Sequence, residues 1–119
     1  MGNTIHFITI ILCILSTNVQ AQGKKDQIIG VWDTGKANVE VHKEGNAYLG
    51  NPINSKGERN DQIEVLNLTY TDGKWVGKIY SKKRGRLLDV ECQIKGETLL
   101  LEVSTRLRTV GLEWARVLQ

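Results

Sequence analysis

Ile63-Glu64-Val65-Leu66-Asn67-Leu68-Thr69-Tyr70, then Thr71-Asp72-Gly73-Lys74, then Trp75-Val76-Gly77-Lys78-Ile79-Tyr80: this stretch decides the fold. Two runs rich in β-branched and aromatic residues flank an Asp-Gly pair. A type I′ turn needs positive φ at both central positions, which Asp-Gly tolerates, so the stretch reads as a hairpin. Beyond the turn Trp75, Gly77 and Ile79 alternate with Val76, Lys78 and Tyr80. The incoming run breaks phase, because Ile63 and Val65 fall on the opposite parity from Leu66, Leu68 and Tyr70. A bulge near Leu66, or a strand buried on both faces, would reconcile them.

The same period of two spreads outward in both directions. Upstream, Ile28 to Asp33 reads as a first strand, Val39 and Val41 alternate with Glu40 and His42, and Ala47 to Gly50 forms a short third strand after Glu44-Gly45-Asn46. Downstream, Arg84-Gly85 turns into Leu88 to Ile94, and Lys95-Gly96-Glu97 turns into Leu99, Leu101 and Val103. Val110, Leu112 and Trp114 close the series. The one long connection is Asn51 to Gln62, with the only proline, Pro52. About eight short strands on tight turns make an antiparallel meander, because hairpin-length links cannot form parallel crossovers. Strand content this high suits an up-and-down β-barrel, whose closure removes exposed edges.

The chain of 119 residues has room for one domain, with 16 basic and 13 acidic residues and a formal net charge of +3. A nucleic-acid binder concentrates its cations and interleaves aromatics. Here the charges are spread, so no nucleic-acid partner is expected. The densest basic run is Lys82, Lys83 and Arg84 with Arg86: a solvated loop, or an anion-binding surface. Residues 1–21 carry no Asp, Glu, Lys or Arg, and Phe7 to Leu15 is almost wholly apolar. That run is short for a membrane span of about 20 residues. It suits a signal peptide cut between Ala21 and Gln22, which predicts an exported protein, periplasmic or secreted, with residues 22–119 as a single barrel domain. The basic n-region is missing, so an uncleaved anchor is the alternative.

Cys92 is then the only cysteine of the exported chain, so no internal disulfide forms. Its spacing with Val90 and Ile94 predicts burial. His42 is the only histidine left, and one His with one Cys cannot furnish a zinc site. Asp89 and Glu91 read as the solvent side of a half-buried strand, and Asp33 and Asp72 as turn residues. The sequence offers no catalytic residue, no metal site and no cofactor motif, so an enzyme is not expected.

The two ends of the domain belong together in a closed barrel. Gly30-Val31-Trp32 lies in the first strand and Trp114-Ala115-Arg116-Val117 in the last, so an arginine from the last strand can stack on the Trp32 indole. A stacked cation is worth about 0.5 to 2 kcal/mol. This Gly-x-Trp with a late Arg is similar to the arrangement shared by lipocalins and their calycin relatives. Through most of the chain, from about Ile28 to Val117, the sequence resembles the bacterial family catalogued as domain of unknown function 2147. Ile29-Gly30-Val31-Trp32, Trp75 to Tyr80 with Gly85-Arg86, Leu99 to Val103 and Trp114 to Val117 carry the likeness. Ser81-Lys82 stands where the family tends to have Asp-Pro, Leu88 where it favours Tyr, and the central loop is shorter. The resemblance implies a small exported protein with a lipocalin-like barrel, and it carries no reaction or ligand.

Two roles follow. In the first, the barrel holds a small hydrophobic molecule against Leu68, Tyr70, Trp75, Ile79, Val90, Cys92, Leu101 and Trp114, with Gly77 leaving room. Small eight-stranded barrels are either packed or hold one such ligand. In the second, the barrel is packed and works through its surface, with Lys82, Lys83, Arg84 and Arg86 meeting an anionic partner or a membrane surface. Gly30, Trp32 and Arg116 close the barrel in either case.

Overall fold

The computed structural model describes residues 23–118; the signal peptide expected over 1–21 and its cleavage point lie outside them. Eight strands take up more than half of the described residues: β1 (Gly30–Asp33), β2 (Asn38–Glu44), β3 (Ala47–Ile53), β4 (Leu66–Thr71), β5 (Lys74–Ser81), β6 (Arg86–Lys95), β7 (Thr98–Ser104) and β8 (Thr109–Arg116). Each pairs antiparallel with the next, and β8 returns to β1, so the sheet is a closed up-and-down barrel. The Asp72-Gly73 turn has the expected positive φ at both positions, 52° and 82°. Thr71 and Lys74 are the last pair before it.

Three expectations are corrected. The first strand begins at Gly30, because Asp26–Ile28 forms a single 3-10 turn instead. The third strand runs on to Ile53, so the long connection starts at Asn54 rather than Asn51. Pro52 is tolerated there because β4 pairs with β3 only as far as Gly50, leaving Pro52 at a local edge where its missing N–H costs no ladder bond. The phase break before Leu66 needs neither a bulge nor a two-faced strand, since β4 starts at Leu66. Val65 is held just outside it, its N–H donating to Gly50 O at 2.7 Å and its carbonyl accepting from Tyr80 N at 2.8 Å.

The interior is a continuous apolar cluster with contributions from every strand. Outside, the alternation brings opposite charges together across the strands, as in Lys78 with Asp89 and Lys74 with Glu91. Such exposed pairs contribute little to stability. They do account for the carboxylates of β6.

Gly77 leaves no room in the barrel. A Cβ built on it would lie 2.0 Å from the carbonyl oxygen of Asn67. The missing side chain is filled by the neighbouring strand, so this glycine serves the close approach of β4 and β5.

Candidate functional site

The barrel has two unlike ends. At one end the 3-10 turn carries Ile28, fully buried, across the opening. Four strands hold that segment from below. Trp32 in β1 donates its indole N–H to Ile28 O at 2.9 Å. Tyr48 in β3 donates its hydroxyl to the Asp26 carboxylate at 2.6 Å. Trp75 in β5 donates to Lys25 O at 2.9 Å. Arg116 in β8 donates to Gln27 O at 2.6 Å and more weakly to Ile29 O at 3.3 Å.

Arg116 also lies over the Trp32 ring, with its guanidinium carbon 4.3 Å from the centroid, and its Nε is 3.2 Å from Glu97. Gly30, Trp32 and Arg116 thus meet at the seam between β1 and β8. Gly30 is favoured by its backbone, and a side chain there would also displace the tip of Arg116. Its φ is +144°, and a Cβ there would come within 2.9 Å of Arg116 Nη1.

Titration behaviour at this end follows from the contacts. The hydrogen bond from Tyr48 holds the Asp26 carboxyl below its ordinary value, with Lys43 at 3.6 Å adding to the effect against some desolvation. Burial and the same hydrogen bond raise the Tyr48 phenol. Deeper in the barrel, burial pushes the Cys92 thiol up to about 12, so it is an inert core group. His42 faces outward on β2 and contacts Asn51 Oδ1 at 2.7 Å, while Asn51 Nδ2 donates to Ile63 O at 2.7 Å. That chain pins the long connection to the wall.

No family model, curated protein or solved structure matches the chain.

Among the described residues the other end is open. Seen from β8, the reason is the length of β1. Only Ala115 and Arg116 of β8 pair with β1. Residues 109–114 pair with β7 alone, and the seam gapes there. Val110 and Leu112 lie opposite Val103 and Leu101, on the inward row that continues to Trp114. Yet Leu112 is 39% exposed and Val110 half-buried. With Ile79, Leu88 and Val103 they line a cleft of about 300 Å³. Tyr80, Lys83, Arg84, Thr105 and Arg108 stand around its rim.

The eight residues expected along a pocket distribute unevenly between these ends. Leu68, Val90, Cys92 and Leu101 are packed side by side in the core, each at most 1% exposed. Trp114 is buried beside Leu99. Trp75 is committed to the closed end, where Tyr70 packs against it with ring centroids 5.0 Å apart. Ile79 alone of the eight borders the open cleft.

Leu88, Val103, Val110 and Leu112 were the members that sequence reasoning passed over. They carry the same alternation as the rest, so the pattern marks them as inward. The access of Val110 and Leu112 to solvent depends on where β1 stops.

Proposed function

We propose that the protein is an exported barrel, of the kind its resemblance to the domain of unknown function 2147 family implies, that takes up a small apolar molecule at its open end. The observation that carries this reading is the pair Val110 and Leu112, inward-facing side chains left in contact with water beside an apolar cleft. Solvated apolar surface on the inner wall of a barrel is a standing cost that a bound hydrocarbon removes, at about 25 cal/mol per Å² covered. At about 300 Å³ the cleft sits at the small end of the range for organic ligands, so the guest is small or projects from the mouth. The packed middle of the barrel limits how deep it goes.

Fluorescence titration with Nile red, a neutral apolar probe, tests this reading. Native protein is expected to raise and blue-shift the emission, and the pair Val110→Glu with Leu112→Glu to abolish the change while leaving the unfolding transition cooperative. Absence of a signal from native protein, or an undiminished signal from the double variant, overturns it.

A further inference from the structure

The open end carries a second feature, part of which stands at the rim of the cleft. Two hairpin turns reach past the cleft on the same side of the barrel, joining β5 to β6 and β7 to β8. The first presents Lys82, Lys83, Arg84 and Arg86, and the second Arg106 and Arg108, all of them exposed. No acidic residue occurs between Ser81 and Leu88 or between Ser104 and Leu112. Among the described residues none of these six cations has an ion-pair partner, which is also true of Lys24, Lys25, Lys36, Lys56 and Lys95 outside the two turns. Folding thus brings to one end of the barrel cations that the sequence distributes over two separate turns.

Between Arg106 and Arg108 stands Leu107, 95% exposed. The turn that lifts it is well defined. Thr105 N donates to Arg108 O at 2.9 Å, and Thr105 Oγ1 donates to the same carbonyl at 2.8 Å. The neighbouring turn is closed by bonds running the other way, with Gly85 N donating to Ser81 O at 2.7 Å and Arg84 N to Ser81 Oγ at 3.2 Å. Leu87, 57% exposed, and Tyr80, 42% exposed, add apolar surface behind the first tip.

Among the described residues, a leucine held at an apex between two arginines has nothing to bury itself in. Nucleic acid or an acidic protein surface would satisfy the cations but gain little from the leucine. A bilayer satisfies both, because cations sit at the headgroups while an apolar side chain enters the acyl boundary.

We infer that the two hairpin tips at the open end form a docking face for an anionic phospholipid bilayer, with Leu107 inserted and the six cations at the headgroup level. Docked this way, the mouth of the cleft faces the membrane. The inference does not depend on uptake by the cleft, since the tips would bind a bilayer whether or not the barrel accepts a guest.

Co-sedimentation with vesicles of phosphatidylglycerol and phosphatidylcholine tests it, beside vesicles of phosphatidylcholine alone. Binding is expected only to the anionic vesicles and to weaken as salt is raised. The triple change Lys83→Gln, Arg84→Gln and Arg108→Gln is expected to lower the partition coefficient by about fivefold for each cation removed. The charge-matched set Lys24→Gln, Lys25→Gln and Lys95→Gln, at the closed end, is expected to change it far less. In Leu107→Trp, the emission is expected to shift to the blue on binding and to be quenched by brominated acyl chains.

Equal loss from the two charge sets, or an inserted-position tryptophan untouched by brominated lipid, overturns the docking face. Tighter binding to a DNA duplex than to the anionic vesicles, unaffected by Leu107→Asp, replaces the bilayer with a simple polyanion and overturns it as well. Loss of Nile red uptake in Val110→Glu with Leu112→Glu bears only on the cleft.

Discussion

The closed and open ends of this barrel are built from the same alternating strands, yet they obey different accounts. At the closed end three large aromatics have hydrogen-bond partners. Trp32, Tyr48 and Trp75 each bury a ring in the barrel and send one donor to the segment above. At the open end inward side chains meet water, and cations stand unpaired on the tips. The difference comes from one short strand. With four residues, β1 reaches far enough to seat Arg116 over Trp32 and no further. Stability is concentrated where the seam is sewn, and access where it is not.

The contrast is broken most severely by Trp32→Ala. It removes the fully buried ring under the cap, the indole bond to Ile28 and the surface on which Arg116 stacks. A loss of about 3 to 5 kcal/mol is expected in urea denaturation. Arg116→Ala leaves the ring and is expected to cost about 1 to 3 kcal/mol through lost stacking and packing. No change in midpoint would mean that the arginine does not close the barrel.

Acid should loosen the same end through Asp26. Its carboxyl is held below the ordinary value of 3.8, so its contribution is complete above that value and is lost as pH falls through the lower folded value. The stability difference between the native protein and Asp26→Asn is therefore expected at neutral pH and to shrink below about pH 4. A constant difference across that range would remove Asp26 from the latch. The smallest effect belongs to the open end. Leu112→Ala, although its side chain points inward, is expected to change stability by about 0.5 kcal/mol or less, as exposed sites do.

Much of this fold is legible in the sequence because its signals are local. The Asp72-Gly73 turn, the alternation of Val90 with Cys92, and the row Leu99, Leu101, Val103 each depend on residues within one hairpin. The seam left a fainter trace, since a Trp and an Arg near the ends of a chain are common, and Gly30 before Trp32 with Arg116 after Trp114 gains weight only from the longer resemblance. The candidate site was not legible. Whether Leu112 is buried like its cross-strand partner Leu101 depends on the length of a strand eighty residues away. Likewise, Lys83 and Arg108 look like ordinary loop charges until the barrel places their turns beside one cleft. Trp75 reads as core, with pocket wall as the alternative, and its bond to Lys25 O assigns it to the cap. Period two tells inside from outside; it carries no information on distance from an open rim.

The central claim is that one end of the barrel is sealed and the other admits solvent to its inner wall. Thiol accessibility measures this directly, with single cysteines placed at two facing inward positions in a Cys92→Ala background. Leu112→Cys is expected to react with a thiol reagent in native buffer nearly as fast as a small free thiol. Leu101→Cys, its partner on β7, is expected to react only on unfolding. Equal protection of the two, or equal reactivity, would contradict the account.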